Sequence, residues 1–226
     1  MVKRNIVAIG GGGFGRSLGN LKIERYIISL TSSERPKICF IPTASGDSDL
    51  YKLNFYRAFS QLNCITSHLD FFARTEELEK KILDQDIIYV GGGNTKSMLA
   101  VWREWNLDSI LKKAYKRGII MSGVSAGAIC WFKKGITDSY ADTLKILDCL
   151  GFIEGIACPH FDEEKDRAPF VNEMIEKEFI KSCICIEGNS AIHISNEKDI
   201  KSINFGINKK SFLLYKDNYQ ILKKLF

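Results

Sequence analysis

Short apolar runs alternate with amphipathic segments along most of the chain, and the two patterns predict different elements. The apolar runs predict strands over 5–9, 37–41, 65–72, 86–90, 119–121, 153–158, 182–186, 191–194, 202–205 and 211–215. Apolar residues at helical spacing predict helices over 21–30, 50–62, 76–83, 96–102, 107–117, 128–132 and 168–180. Strands that alternate with helices indicate an α/β fold with a mainly parallel central sheet flanked by helices on both faces. The last strands follow one another without helices, which favours antiparallel edge strands near the C-terminus.

The composition is that of an ordinary globular protein. With 226 residues, 45% of them hydrophobic and 26% charged, the chain suits one domain spanning 1–226. Basic residues outnumber acidic ones only by 32 to 27 and are scattered, so we expect no nucleic-acid partner. No apolar run reaches the roughly 18 residues of a membrane span, so we expect no membrane partner.

The cysteines point to a reducing compartment. The chain has seven, an odd number, and none form a Cys-x-x-Cys pair. This pattern argues against a disulfide framework or a zinc site and favours reduced thiols in a cytoplasmic protein. No cluster of metal ligands stands out, so we predict no metal and no cofactor. The sequence leaves the oligomeric state open, with a homodimer among the options.

The strongest chemical signal is Gly123-Val124-Ser125-Ala126-Gly127, which lies between a predicted strand and a predicted helix. Gly-x-Ser-x-Gly in that context is the nucleophile-elbow pattern. A sharp turn holds the serine in a crowded backbone conformation, so its neighbours must be small. Ser125 is therefore the candidate nucleophile, and the N–H of Ala126 is a candidate donor to an oxyanion.

Residues suited to catalysis gather where predicted strands end. They lie in 10–15, 42–45 and 91–94, and at Ser125, His160 and Glu187. In open parallel sheets, ligands bind beyond the carboxyl ends of the strands. We therefore expect these residues to share one edge of the sheet.

A serine nucleophile needs a base and a group that orients the base. Of the three histidines, His160 is favoured because it follows a strand end, whereas His68 and His193 lie inside predicted strands. Spacing in the sequence does not decide which carboxylate orients the base. Glu187 follows a strand end, and Asp138 and Asp142 lie closer to the serine in sequence.

Two glycine-rich loops offer backbone groups to a ligand. In Gly91-Gly92-Gly93-Asn94, a glycine N–H could serve as the second oxyanion donor, and Asn94 is a candidate both for substrate binding and for a helix N-cap. The loop 10–15 formally matches the dinucleotide pattern G-x-G-x-x-G, but a further glycine delays the helix that should follow. We expect a loop that lines the substrate site instead of a nucleotide site.

Four motifs together resemble the peptidase E (aspartyl dipeptidase) family of serine peptidases, which also includes cyanophycinases. They are Ile41-Pro42-Thr43-Ala44-Ser45, Gly91-Gly92-Gly93-Asn94-Thr95, Gly123-x-Ser125-Ala126-Gly127-Ala128 and Pro159-His160-Phe161. The resemblance runs from about residue 5 to residue 194. It implies a fold like that of class I glutamine amidotransferases, similar to flavodoxin, with serine in place of the nucleophilic cysteine.

The resemblance also implies roles for individual residues. Ser125, His160 and Glu187 would form a Ser-His-Glu triad, with Asp138 and Asp142 as reserves for the acid. Gly93 and Ala126 would supply the oxyanion N–H groups, and Gly92 is the close alternative to Gly93.

The implied substrate is a small peptide with an N-terminal aspartate. A basic residue binds the aspartyl side chain in peptidase E, and Arg167 is the candidate here. The acidic loop 162–166, beginning with Asp162, is a candidate for binding the free α-amino group. The expected activity is that of a serine dipeptidase that works through an acyl-enzyme.

Three other functions remain in view. A binding or sensor protein could keep the fold without turnover, and an amidohydrolase of cyanophycinase-like specificity could use the same nucleophile. A glutaminase would have cysteine at position 125, and Cys130 lies too deep in the helix to replace it.

Overall fold

The computed structural model describes residues 2–216 and 218–221, and its strands and helices alternate through most of the chain. In chain order the strands are β1 (Asn5–Ile9), β2 (Lys37–Ile41), β3 (Ile65–His68), β4 (Ile87–Val90), β5 (Ile120–Val124), β6 (Phe132–Thr137), β7 (Lys145–Asp148), β8 (Ile153–Cys158), β9 (Ser182–Ile186), β10 (Ser190–Ser195), β11 (Asp199–Asn204), β12 (Ser211–Tyr215) and β13 (Asn218–Ile221). The helices are α1 (Lys22–Ile28), α2 (Asp49–Phe59), α3 (Leu78–Leu83), α4 (Thr95–Glu104), α5 (Leu107–Lys116), α6 (Ala126–Ile129) and α7 (Arg167–Glu176), with a 3-10 turn at Thr43–Ser45. No helix in the described ranges is long and apolar enough to cross a membrane.

The main sheet has seven strands in the order β11-β10-β1-β5-β4-β2-β3. Strands β1 to β5 pair in parallel. The hairpin β10–β11 joins the edge of β1 in antiparallel pairing. The predicted α/β class, with a mainly parallel sheet and antiparallel edge strands from the C-terminal part of the chain, is confirmed.

Helices cover both faces of this sheet because side chains of a strand alternate between its faces. Val7 and Phe40 face α1 and α2, where they pack with Ile27 and Phe55. Ile6 and Ala8 face the opposite side, in the core with Met98, Trp102 and Leu111 of α4 and α5. The central strands are therefore buried on both sides, which explains why β1, β2 and β4 are largely apolar.

Part of the chain forms a second sheet that the apolar pattern did not predict. Its six strands run in the order β13-β12-β9-β8-β6-β7. The apolar residues up to Phe132 suggested a helix over 128–132, but α6 ends at Ile129. The residues after Ile129 form hydrogen bonds with a different part of the chain. The Trp131 carbonyl accepts the N–H groups of Phe152 (2.8 Å) and Ile153 (3.0 Å). These contacts come from residues about 20 positions away, so local periodicity could not reveal them.

A second difference lies at the end of β3, which was predicted to continue to residue 72. The Leu69 N–H still donates to the Phe40 carbonyl of β2 at 3.0 Å, but the backbone beyond it bonds to a side chain instead of the neighbouring strand. The Asp47 carboxylate accepts the N–H groups of both Phe71 and Phe72.

The turn after β5 packs directly against the end of β4, and the contact leaves no room for side chains. A Cβ placed on Gly127 would lie 2.2 Å from the Val90 carbonyl oxygen, and one on Gly123 would lie 2.4 Å from the Gly127 carbonyl oxygen. The glycines of the elbow are therefore required by close backbone packing.

We expect Gly127→Ala to lower the free energy of unfolding by about 3 kcal/mol, the upper end for an overpacked core. Gly19→Ala is the matched control, because a Cβ there would meet no atom within 4 Å, and a change below about 0.5 kcal/mol is expected for it. Urea unfolding of both variants measures the difference. Equal stabilities would contradict the packing argument.

Candidate active site

Ser125 occupies a strained turn between β5 and α6. Its backbone has φ 57° and ψ −112°, a conformation that costs on the order of 1–3 kcal/mol for a residue with a side chain. The Ser125 N–H donates to the Ile9 carbonyl at 3.0 Å, which ties the turn to the end of β1. The sheet thus holds the serine at its carboxyl edge, as the elbow pattern predicted.

A cavity of about 320 Å³ opens beside this serine. Both Ser125 and His160 line it, as do residues of the two glycine-rich loops. No hydrogen bond joins the serine hydroxyl to the imidazole among the described residues, an arrangement common in enzymes without bound substrate. The structure therefore brings the predicted nucleophile and the predicted base to one cavity.

A carboxylate orients the imidazole from within the same turn of the chain. His160 is 6% exposed, and its Nδ1 lies 2.6 Å from Oε2 of Glu163. The turn is closed by the Glu163 N–H, which donates to the His160 carbonyl at 3.0 Å. With Nδ1–H donating to the carboxylate, Nε2 remains free to accept a proton.

The acid beside His160 is thus Glu163, and the expectation for Glu187 is corrected. Glu187 follows β9 and lies beside the neighbouring strand β12, where its Oε2 accepts the Lys210 N–H at 2.9 Å. The sequence did carry a signal for Glu163. A histidine and a glutamate three residues apart can meet within one turn, whereas the expected acids were carboxylates at a strand end or close to the serine in sequence.

The reserve acids do not contact the imidazole either. Asp138 lies 3.7 Å from the Arg167 guanidinium, and Asp142 lines a separate cavity together with Asp138.

Arg167 does not line the cavity that contains Ser125. It is 2% exposed, and its guanidinium binds Oε2 of Glu164 at 2.7 Å and the Ile136 carbonyl at 2.9 Å. This arginine joins α7 to the second sheet, so the expectation that it binds substrate is corrected. The arginine that does line the cavity is Arg16, which the sequence analysis missed because only the glycines of that loop were considered.

Arg16 contacts the catalytic candidates directly. Its Nη1 lies 2.7 Å from Oε1 of Glu163, and its Nη2 lies 3.5 Å from Nδ1 of His160. The Arg16 side chain is 53% exposed. A cation therefore stands at the mouth of the cavity, beside the imidazole.

The other two predicted substrate-binding residues make structural contacts. Oδ1 of Asp162 accepts the Gly188 N–H at 2.7 Å, and Oδ2 binds Lys209. Burial alone would raise the pKa of Asp162, but these hydrogen bonds lower it overall. Asn94 is the N-cap of α4, where its side chain accepts the Ser97 N–H at 2.8 Å, the alternative role that its position allowed.

Two backbone N–H groups close to Ser125 are candidate donors to an oxyanion. Among the described residues, the N–H groups of Ala126 and Gly93 have no hydrogen-bond partner, whereas the Gly92 N–H donates to the Tyr51 hydroxyl at 3.4 Å. Gly93 has φ +138°, and a Cβ there would lie 2.2 Å from the Ala44 carbonyl oxygen. This contact requires glycine at position 93. Because its N–H has no partner among the described residues, Gly93 is favoured over Gly92 as the second donor.

The glycine loop after β1 packs closely against the His160–Glu163 pair and leaves no room for a side chain there. A Cβ on Gly11 would lie 2.5 Å from Oε2 of Glu163 and 2.8 Å from Nδ1 of His160. Gly12 and Gly15 line the cavity itself. The loop therefore lies at the predicted substrate site, and its glycines are explained by close packing without a nucleotide.

One buried carboxylate anchors this loop. Glu24 is fully buried, and its Oε1 accepts the Phe14 N–H at 2.8 Å. Its other oxygen, Oε2, has no partner among the described residues. Burial raises the pKa of Glu24, since a carboxylate without a cation is costly in an apolar core.

The remaining histidines lie outside the site and pair with tyrosines. Nδ1 of His68 lies 2.6 Å from the Tyr56 hydroxyl, and Nδ1 of His193 lies 2.8 Å from the Tyr26 hydroxyl. Burial lowers the pKa of His193 to about 4, so this histidine is neutral near pH 7.

Comparisons with known proteins point to a family of peptidases. The model of peptidase family S51 matches residues 6–202. An uncharacterized peptidase, YgaJ of Bacillus subtilis strain 168, is 42% identical over 219 residues, covering 96% of this chain and 95% of that protein. The uncharacterized peptidase Lin0382 of Listeria innocua is 26% identical over 190 residues, covering 75% and 85%.

Two crystal structures share the fold. A peptidase from an acI-B1 Actinobacterium superposes with a TM-score of 0.70 at 18% identity, covering 98% of both chains. A Listeria monocytogenes EGD-e protein provisionally described as peptidase E superposes with a TM-score of 0.68 at 18% identity, covering 90% of this chain and all of that one.

The buried Glu24 carboxylate makes stability depend on pH. Because its pKa is raised in the folded state, its contribution to stability is fully present below the ordinary value of 4.5 and is lost as pH rises through the raised value. Glu24→Gln keeps an oxygen for the Phe14 N–H and does not ionise. Relative to wild type, it should gain stability between pH 4 and pH 8 in urea unfolding.

Glu24→Leu is the companion variant, because it leaves the buried Phe14 N–H without an acceptor. It should cost about 1–3 kcal/mol relative to Glu24→Gln. A Glu24→Gln protein that loses stability relative to wild type as pH rises would contradict this account.

Proposed function

The chain belongs to peptidase family S51, and on that basis we propose that it is a serine exopeptidase that hydrolyses dipeptides and other short peptides. Ser125 is the nucleophile, His160 the base, and Glu163 the acid that orients it. One observation carries the proposal: a serine held in a strained turn shares a small cavity with a buried imidazole paired to a carboxylate at 2.6 Å.

The reaction follows from the positions of these groups. Ser125 Oγ attacks the scissile carbonyl as Nε2 of His160 takes its proton, and negative charge develops on the carbonyl oxygen. The N–H groups of Ala126 and Gly93 stabilise that oxyanion. The imidazolium then protonates the departing amine, which leaves an acyl-enzyme. Water deprotonated by His160 attacks the ester and regenerates Ser125.

The size of the cavity supports a short substrate. A volume of about 320 Å³ lies at the lower end of the range for small-molecule sites. Such a cavity fits two amino-acid residues better than an extended polypeptide. This supports the dipeptidase activity within the broader class of peptidase.

The proposed preference for an N-terminal aspartate now rests on Arg16. The resemblance to peptidase E requires a basic residue for the aspartyl carboxylate, and Arg16 lines the cavity while Arg167 is buried elsewhere. The seven cysteines are unpaired, which supports the accompanying proposal of a cytoplasmic protein.

Replacing the nucleophile tests the reaction class. Wild-type protein should hydrolyse members of a panel of dipeptides with free N-termini, Asp-Leu among them. Ser125→Ala should lower kcat at least about a thousandfold, since it removes the group that forms the acyl-enzyme. Release of free amino acids measures both. Hydrolysis that persists in the variant would overturn the mechanism, and a wild-type protein without any activity would favour the binding or sensor alternative.

Two glutamine substitutions distinguish the acids. Glu163→Gln should lower kcat about 10²- to 10⁴-fold, because an amide disturbs the tautomer and does not stabilise the imidazolium. Glu187→Gln is the matched control and should stay within a few-fold of wild type, since its carboxylate binds backbone away from the imidazole. The reverse ranking would restore Glu187 as the acid.

A further inference from the structure

One carboxylate serves two partners at this site. Oε2 of Glu163 pairs with His160 at 2.6 Å, and Oε1 pairs with Arg16 at 2.7 Å. The negative charge that should stabilise the protonated imidazole is therefore shared with a guanidinium. Arg16 thus affects the base through Glu163 as well as through space.

The direct effect of Arg16 on the imidazole is unfavourable to the reaction. Nη2 of Arg16 lies 3.5 Å from Nδ1 of His160, and two positive charges at this distance repel each other. The imidazole becomes positive when it takes the proton of Ser125. An Arg16 whose charge is not balanced by a further anion therefore raises the energy of the transition state.

The Arg16 guanidinium is also accessible to an anionic group of a bound ligand. It lines the cavity with Ser125, and its side chain is 53% exposed. A guanidinium has five N–H donors and binds carboxylates in a fork. The loop does not depend on the Arg16 side chain for its position, because the buried Glu24 fixes it through the Phe14 N–H.

From these contacts we propose that Arg16 makes catalysis depend on the charge of the substrate. A carboxylate of the bound peptide pairs with Arg16, balances its charge beside His160 and frees Glu163 to stabilise the imidazolium. Because the imidazolium forms only in the chemical step, the substrate carboxylate raises kcat and not merely affinity. This inference rests on the proposed peptidase function.

The carboxylate has two sources in a short peptide, an acidic side chain and the free C-terminus. Three substrates separate them: Asp-Leu, Asn-Leu and Asp-Leu amide. Asn-Leu removes the side-chain charge, and the amide removes the C-terminal charge. Each is compared with Asp-Leu by its kcat, measured at saturating substrate with wild type, Arg16→Gln and the control Arg74→Gln.

Arg74 is a suitable control because it is an exposed arginine paired with Glu76 and does not line the cavity. In wild type and Arg74→Gln, removal of one of the two carboxylates should lower kcat at least about tenfold, and the responding substrate identifies the source. In Arg16→Gln, that ratio should fall to about one.

Two results would overturn the inference while leaving the peptidase proposal intact. One is a wild-type kcat that differs less than tenfold between charged and neutral substrates. The other is an Arg16→Gln protein that keeps the wild-type ratio, whether or not all rates fall together, as expected of a merely structural residue. Failure of the proposed function has a different signature, since turnover would then be absent or would survive Ser125→Ala.

Discussion

The site depends on one constraint, which is that backbone segments pack very closely at the carboxyl edge of the main sheet. A Cβ at Gly127 would collide with β4, and a Cβ at Gly11 would collide with the His160–Glu163 pair. The strained Ser125 can persist only because this packing holds it. These glycines therefore let three chain segments meet at the cavity that Ser125 and His160 line.

The charged groups of the site lie against an apolar interior, which has few groups of opposite charge to balance them. Glu24 is buried beneath the loop and forms no ion pair among the described residues, and the Glu163 carboxylate contacts both an imidazole and a guanidinium. The net effect of such groups depends on what occupies the cavity, since each charge is balanced only in part. Under the proposed function, substrate selection and catalysis would both depend on these charges.

The sequence was most informative where local pattern determines structure. Strands β1, β2 and β4 are largely apolar because both their faces are buried. The elbow motif located Ser125 because strand, turn and helix are adjacent in the chain. Strands β8, β9 and β12 of the second sheet were predicted, but the sheet itself was not, since β6 and β7 carry charged residues and give no apolar run.

The site was predicted less completely for the same reason. His160 was found from its position at a strand end, but whether Glu163 or Glu187 orients it depends on where each side chain points. Arg167 was expected at the substrate site, and no role was expected for Arg16, because burial of Arg167 by α7 and the second sheet is a tertiary property. Residue type limited the number of candidate site residues, and tertiary packing determines which of them lie at the cavity.

The central claim is that Ser125 is an activated nucleophile, and covalent labelling tests it most directly. Intact protein is incubated with a fluorophosphonate, and the adduct is counted and located by mass spectrometry, which requires no knowledge of the substrate. The account predicts one adduct per chain, on the peptide that contains Ser125, with slower labelling in Glu163→Gln. A protein that remains unlabelled, or that is labelled at another residue, would contradict the claim.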